Sequence, residues 1–150
     1  ITSARHLRTM LDPVQRVFLA VISAGLLAQT AKIIVHMMSR RASFRPADLV
    51  VTGGMPSTHS ALSTALSLSI YFAEGLTTTF LVSLAFTAVV LRDALGVRRT
   101  AGEEGRIINQ LIRKTRLRVS PVHYSLGHTP AEVTVGVIIG LLTAIVTLFV

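Results

Sequence analysis

The sequence predicts an all-α membrane protein, a polytopic helix bundle with about four transmembrane spans and one amphipathic interfacial helix. Two observations predict this fold class. Hydrophobic residues make up 51% of the 150 positions and charged residues only 15%, which is more apolar surface than a soluble domain of this length buries. The apolar residues also gather in four runs of helical length, separated by polar or glycine-containing segments.

Residues 1–12 form a basic segment, which can be read as the tail of a targeting peptide or, more simply, as a plain basic terminus. Residues 13–150 form the membrane helix-bundle domain. Asp12 followed by Pro13 is typical of a helix start, as an N-cap and a first-turn proline. The second and third runs are shorter than the ~20 residues that cross a bilayer, so they are expected to begin below the headgroups or to pair within a bundle. The predicted spans are Val14–Met38, Ser57–Phe72, Leu76–Leu91 and Pro130–Val150.

A further helix is predicted over Ala101–Arg118, inside the long polar segment Arg92–Gly127. Its apolar residues fall on one stripe and basic residues surround that stripe, which is the pattern of a helix that lies in the membrane interface. The stripe comprises Ile107, Ile108, Leu111 and Ile112.

Four spans place the segments Ser39–Gly54 and Arg92–Gly127 on the same side of the membrane. Together these segments hold eleven of the 15 Lys and Arg residues, whereas three arginines come before or at the start of the first span. The positive-inside bias therefore predicts that the basic loops, and the polar motifs beside them, face the cytoplasm.

The composition excludes several classes of function. The chain has no cysteine, so a disulfide framework, a thiolate nucleophile and a thiolate metal site are ruled out. Its net charge of +8 could suggest a nucleic-acid partner, but there is no Trp, and the few Phe and Tyr lie mostly in apolar runs. Basic membrane loops explain the charge, so no nucleic-acid partner is expected.

The sharpest motif is GGMPSTHS, at residues 53–60. Glycines let the backbone approach a ligand, and the helix start that follows offers unpaired N–H groups and the positive end of the helix dipole. With hydroxyls from Ser57 and Thr58 and a proton donor in His59, the motif describes a phosphate site. The alternative is a glycine turn with a serine cap and an incidental histidine. However, a titratable side chain at the end of a membrane helix costs free energy, so a functional role for His59 is favoured.

A second histidine precedes the last span, in GHTPAEV at residues 127–133. His128 is a candidate nucleophile or base, with Glu132 as the carboxylate that orients it. Glu132 also fits a capping box with Thr129, because it is the third helical residue after that threonine. Both interpretations of Glu132 stay open on the sequence.

The two remaining spans also carry polar residues near their ends. After the third span, Asp93 could orient a histidine or neutralise an arginine, and Arg98 and Arg99 could bind phosphate through bidentate hydrogen bonds or simply mark a positive-inside flank. Near the end of the first span are Lys32, for which snorkelling is the simpler interpretation, and Arg40. Because all four spans bring such residues to the same membrane level, the sequence predicts that they converge in one site.

The motifs GGMPSTHSA, RDALGVRRTAGEE and GHTPAEV, in this order, resemble the divergent membrane branch of the type 2 phosphatidic acid phosphatase family, which is related to acid phosphatases and vanadium-dependent haloperoxidases. The resemblance covers about Gln29–Gly140. It implies that Lys32 and Arg40 bind phosphate, and that His59 protonates the leaving group. It also implies that His128 is the nucleophile, with Glu132 in place of the family's aspartate.

The chain departs from the family pattern in each motif. Lys32 and Arg40 are one residue further apart than in the first motif, and no proline follows. Thr58 replaces the glycine of the second motif. The Ser-Arg pair of the third motif is absent, since Pro121 and Val122 stand there, so Arg98 or Arg99 would have to replace its arginine.

The leading hypothesis is a metal-independent phosphomonoesterase or pyrophosphatase that acts on a membrane lipid phosphate without a cofactor. One alternative is a non-catalytic membrane protein that binds lipid phosphate in transport or assembly, which the altered third motif favours. A second alternative is a carboxylate–histidine metal site built from Asp93, Glu132, His59 and His128. Because the parent family usually has a six-helix core, a homo-oligomer is also expected.

Overall fold

The computed structural model describes residues 11–40, 54–115, 118–124 and 127–149, with only the backbone described at Arg40. The expectations for residues 1–10, for the loop 41–53 and for the Arg40 side chain lie outside the described residues. The all-α fold class is confirmed. The helices are α1, Pro13–Arg40; α2, Thr58–Glu74; α3, Thr78–Leu95; α4, Val97–Thr115; and α5, Pro130–Val146, which continues into a short 3₁₀ helix, Thr147–Phe149.

Local capping explains where α1 and α5 begin. Before α1, the backbone N–H of Gln15 donates to Asp12 Oδ1 at 2.8 Å, and the N–H of Asp12 donates to Gln15 Oε1 at 3.0 Å. Before α5, Thr129 and Glu132 form the reciprocal hydrogen bonds of a capping box. The predicted starts of the first and last spans are therefore confirmed.

The predicted helix bounds are wrong between α3 and α4. The sequence placed the end of the third span at Leu91 and the start of the next helix at Ala101, whereas α3 runs to Leu95 and α4 begins at Val97. Arginine and alanine are good helix formers, so the polar residues that leave the hydrocarbon region do not end the helix. Gly96 alone separates the two helices, and its N–H still donates to Arg92 O at 2.9 Å.

Close contacts fix the directions of the helices. Gly25 of α1 lies against Leu62 of α2, and α5 runs alongside α2 in the same direction, with Gly140 against Ala61. Thr87 of α3 contacts Ser67 of α2, so the chain reverses direction at the connection around Gly75. Consequently α1 and α3 are antiparallel to α2 and α5. The end of the bundle where α2 and α5 begin is called the site end below.

Three stretches are long and apolar enough to cross a membrane within the described part of the chain: Pro13–Ser39, Thr78–Thr115 and Pro130–Phe149. The second of these contains both α3 and α4. α2 has only 17 residues and is not among them. The prediction of about four spans thus holds for three by length and composition, while α2 runs beside them and packs against α1, α3 and α5.

Small side chains let α2 occupy the centre of the bundle. Its buried residues are Ser60, Ala61, Ser63, Thr64, Ala65, Ser67, Ser69 and Ile70. A Cβ on Gly140 of α5 would come 2.5 Å from the carbonyl oxygen of Ala61, so only glycine allows this approach. The hydrophobic effect does not drive helices together inside a bilayer, so close backbone packing of this kind stabilises the contact between α2 and α5.

The amphipathic helix α4 holds the loop that leads back to the site end. Its buried residues, Gly102, Gly105 and Asn109, share one face, whereas Ile107 and Leu111 on the predicted apolar stripe are more than half exposed, at 51% and 54%. The side chain of Asn109 donates to Val122 O and accepts from Val122 N–H, both at 2.8 Å. The protein-facing side of α4 is therefore its glycine and asparagine face, and most of the predicted apolar stripe is exposed; that this stripe lies in the membrane interface stays a prediction.

Candidate functional site

A cavity of about 170 Å³ lies at the site end, between the start of α2, the end of α3, the start of α4 and the residues before α5. Four of the sequence-predicted site residues line it together with three apolar residues of α3. The lining residues are His59, Val89, Val90, Asp93, Ala94, Arg98 and His128. The structure thus brings polar residues from widely separated segments of the chain to one place.

His128 is the most enclosed polar residue of the cavity wall, with 6% of its surface exposed. Its ring Nδ1 lies 3.2 Å from Glu132 Oε2, and its backbone N–H donates to Ala94 O at 3.1 Å. A carboxylate only accepts hydrogen bonds, so Nδ1 carries the proton in this pair. In the neutral imidazole, the other ring nitrogen, Nε2, then has the free lone pair that a nucleophile requires.

Glu132 serves as cap and histidine partner at once. Its Oε2 accepts from the backbone N–H of Thr129 at 3.0 Å and from the ring of His128 at 3.2 Å. Its backbone carbonyl accepts from the N–H of Ser57 at 3.0 Å, which joins the start of α5 to the start of α2. The capping box fixes the helix start, and the same carboxylate contacts the imidazole, so the capping interpretation of Glu132 is confirmed and its role as the partner of His128 stays a prediction that this contact fits.

Gly127 allows His128 to reach this position. A Cβ at Gly127 would overlap the backbone of Arg98 and Arg99, because the chain passes directly over the start of α4. Together with the hydrogen bond to Ala94, this contact sets the distance between His128 and the end of α3. Sequence reasoning had assigned no role to Gly127, although a glycine directly before a candidate nucleophile is a signal of close backbone approach.

His59 lies in the first turn of α2, and its ring is partly open to the surroundings of the protein. Lys32, Arg98, His128 and Asp93 are all near enough to act on it electrostatically. Three of these four groups are cationic or can become so, which makes the neighbourhood of His59 suitable for an anion.

Asp93 neutralises an arginine rather than orienting a histidine. Its carboxylate accepts a short hydrogen bond from Nε of Arg98, and the two side chains are 35% and 59% exposed. Both residues line the cavity, at the end of α3 and in the first turn of α4. Arg98 is therefore positioned at the site but is held by Asp93.

Lys32 does not snorkel along the lipid surface, contrary to the simpler expectation. Its side chain is only 4% exposed, and Glu132 is the opposite charge that acts on it. Neither Lys32 nor Glu132 is among the lining residues of the cavity, so the structure places Lys32 off the cavity wall.

Three other predicted phosphate-binding residues also lie off the cavity wall. Ser57 is fully buried and caps α2, with its hydroxyl accepting from the hydroxyl of Ser60 at 2.8 Å. Thr58 donates to Gln29 Oε1 at 3.0 Å and so connects α2 to α1. Arg99 pairs with Glu103 on the exposed surface of α4, at 3.3 Å.

The described residues give no group of three or more His, Asp or Glu side chains arranged to hold a metal ion. His128 and Glu132 are bound to each other, and Asp93 is turned to Arg98. The geometry therefore gives no support to the carboxylate–histidine metal site.

Sequence reasoning also missed the role of Asn109 and its neighbours in positioning the site. The Asn109 contact with Val122, and the packing of Gly105 against Tyr124, fix the loop that precedes Gly127. The spacing of Gly102, Gly105 and Asn109 marks one helix face, and this signal could have indicated that the face is covered by chain.

Comparisons with known proteins give the same relationship as the motifs. The model of the family described as divergent PAP2 matches residues 14–143. The chain is 35% identical over 146 residues to the uncharacterized membrane protein YuiD of Bacillus subtilis (strain 168), an alignment that covers 85% of this chain and 90% of the relative. No solved structure matches the chain. The protein is thus an integral membrane protein, and it belongs to the divergent PAP2 family.

Proposed function

We propose that the cavity binds the phosphate group of a membrane lipid and that the protein hydrolyses this lipid as a phosphomonoesterase or pyrophosphatase. The observation that carries the proposal is the arrangement of two histidines and one arginine, His59, His128 and Arg98, around a single cavity. A nucleophile, a proton donor and a cation for the developing charge are the three groups that phosphoryl transfer through a histidine requires.

The walls of the cavity favour a lipid over a soluble phosphate ester. A cavity of about 170 Å³ suits a phosphate group and the atoms next to it. Val89 lines this cavity and is also 67% exposed on the outer surface of α3, in a stretch apolar enough to cross a membrane. The acyl part of a substrate can therefore remain in the bilayer, beside α3, while its phosphate enters between the two histidines.

In the proposed reaction, Nε2 of His128 attacks phosphorus and the bond between phosphorus and the leaving oxygen breaks. His59 gives its proton to that oxygen, and water then hydrolyses the phosphohistidine. Glu132 keeps the Nδ1 proton of His128 in place, so that the attacking nitrogen is the one that faces the cavity. Arg98 stabilises the charge on the equatorial oxygens by turning from Asp93 to the phosphate.

A second candidate function is phosphate binding without turnover, in transport or assembly. The observation that favours it is the state of the cations: Arg98 is paired with Asp93, and Lys32 does not line the cavity. With the third-motif arginine absent, Arg98 is the sole arginine among the described residues that line the cavity.

The discriminating experiment is release of phosphate by the purified protein from a panel of lipid phosphates and pyrophosphates, with and without EDTA. We expect turnover that EDTA does not affect and that vanadate inhibits. His128→Ala should abolish turnover, and His59→Ala should slow it by about 10²–10⁴-fold, the usual worth of a general acid. The matched control is His123→Ala, because His123 is an exposed histidine away from the cavity. Binding without phosphate release, unchanged in His128→Ala, would replace the enzyme with the binding protein.

The side of the membrane and the oligomeric state are separate proposals. The arginine distribution supports a cytoplasmic site end. Because the chain lacks cysteine, single-cysteine variants Ser120→Cys and Leu76→Cys can be labelled in intact cells with an impermeant reagent. We expect Leu76→Cys alone to react, and rapid labelling of Ser120→Cys would reverse the orientation. A homo-oligomer, proposed from the small number of spans, should appear as a cross-linked dimer in native membranes.

A further inference from the structure

A second cavity lies at the other end of the bundle, far from the histidines. It has a volume of about 100 Å³ and is formed where α1 begins and where α2 and α5 end. Ser69 on its wall is ten residues after His59 along α2, a distance of about 15 Å at the rise of an α-helix. The two cavities therefore lie at opposite ends of the bundle.

Two polar groups in this second cavity have capacity for a ligand. Ser69 is 5% exposed, and its hydroxyl has no hydrogen-bond partner among the described residues. Arg16 is half-buried, and its Nε and Nη2 both donate to Leu11 O at 3.2 Å. A guanidinium has five N–H groups, so Arg16 keeps donors available, and none of the described acidic residues forms an ion pair with it.

The remaining wall is apolar, with Phe72, Ala144 and Leu148 among its residues. None of the lining residues is acidic, so the cavity carries a net positive charge. Its volume exceeds the ~30 Å³ that one water takes up in the liquid, so a single water would not fill it. An arginine in the first turn of a spanning helix, a buried hydroxyl near the end of α2 and an apolar wall together match a phosphate that is attached to an acyl-bearing molecule.

We propose that this cavity binds the phosphate group of a lipid from the opposite leaflet, through the guanidinium of Arg16 and the hydroxyl of Ser69. The guanidinium offers a planar pair of N–H donors to two phosphate oxygens, and the Ser69 hydroxyl donates to a third. The acyl chains then leave along Phe72 and Leu148. This site is independent of the histidine cavity and needs no turnover there.

The test is native mass spectrometry of the full chain in detergent, titrated with phosphatidic acid, with diacylglycerol of the same acyl composition, and with inorganic phosphate. A hydrogen bond to a charged group is worth about 1.5–3 kcal/mol, so Arg16→Gln and Ser69→Ala should each weaken phosphatidic acid binding by about tenfold or more. Arg106→Gln, which changes an exposed arginine of α4, is the matched control and should bind as the parent does. All titrations are made in an Arg98→Gln background, so that the histidine cavity contributes equally little throughout.

A second measurement separates ligand binding from folding. Removing an unpartnered buried hydroxyl should not lower thermal stability in lipid-free detergent, whereas the rise in melting temperature on adding phosphatidic acid should shrink in Ser69→Ala. Equal binding of diacylglycerol, or undiminished phosphatidic acid binding in both variants, would overturn the site. Equally tight binding of inorganic phosphate would overturn the assignment to a lipid.

Discussion

Lys32 and Glu132 should stabilise the bundle as a coupled pair, and this coupling can be measured without any assumption about substrate. Lys32 is 4% exposed and Glu132 is the carboxylate that acts on it, while Glu132 also holds His128 and Thr129. The perturbation is a double-mutant cycle that consists of Lys32→Met, Glu132→Gln and the two together.

The expected magnitudes follow from what each substitution leaves behind. Glu132→Gln removes the opposite charge that acts on Lys32 and weakens the contacts to His128 and Thr129, so it should cost about 1–3 kcal/mol. Lys32→Met should cost less, because Glu132 still accepts from His128 and Thr129. In the double variant both charges are gone, so its loss should be smaller than the sum of the two single losses by more than about 0.5 kcal/mol.

The assay is the free energy of unfolding in mixed micelles, titrated with SDS and followed by circular dichroism. The control cycle combines Lys32→Met with Asp93→Asn, because Asp93 is paired with Arg98 and the two losses should therefore add. If the Lys32 and Glu132 substitutions are additive to within about 0.5 kcal/mol, the pair does not exist and Lys32 is free to bind phosphate.

The remaining predictions concern the elements that position the site. Gly127→Ala should lower both thermal stability and phosphate binding, since its Cβ would overlap the backbone of Arg98 and Arg99; unchanged binding would show that the chain can move aside. Asn109→Asp should destabilise by about 1–3 kcal/mol, because a carboxylate cannot donate to Val122 O, and protease cleavage at 118–124 should increase as a consequence. Gly140→Val should lower the melting temperature strongly by separating α5 from α2, and a small effect would contradict the close contact with Ala61. Asp93→Asn should tighten vanadate binding by about two- to fivefold by releasing Arg98, a modest factor because both side chains are partly exposed; weaker binding would mean that Asp93 itself helps to hold the anion.

The sequence was sufficient for those elements whose signals are local. Apolar runs and caps at Asp12 and Thr129 placed α1 and α5 correctly, because a cap depends on neighbours three residues away. The end of α3 was misplaced because the change from apolar to polar residues marks the edge of the hydrocarbon region, whereas the helix ends only where hydrogen bonding is interrupted, at Gly96. The central position of α2 could not be predicted from the sequence either. Its serines lower the mean hydropathy of the segment, and only the structure shows that they allow close helix packing.

The candidate site was predictable as a set of chain regions but not as a set of contacts. Membrane level follows from position along each span, and this sufficed to bring His59, Asp93 and His128 towards one another. Which charge pairs with which depends on side-chain rotation within a helix turn, and no sequence pattern determines that. Asp93 consequently faces Arg98, and the histidine partner is Glu132.

The pairing of charges also bears on the arginine missing from the third motif. Of the charged residues that line the cavity, Arg98 is paired with Asp93, so their charges balance. An anion that enters competes with Asp93 for the Arg98 guanidinium, so any part of the Asp93–Arg98 interaction that is lost lowers its affinity. A phosphate can compete because it carries up to two negative charges, and because the described pair uses only Nε of the five N–H groups of Arg98. A singly charged carboxylate ligand has no charge advantage over Asp93, so the Asp93–Arg98 pair should favour phosphate over carboxylate more than an unpaired arginine would.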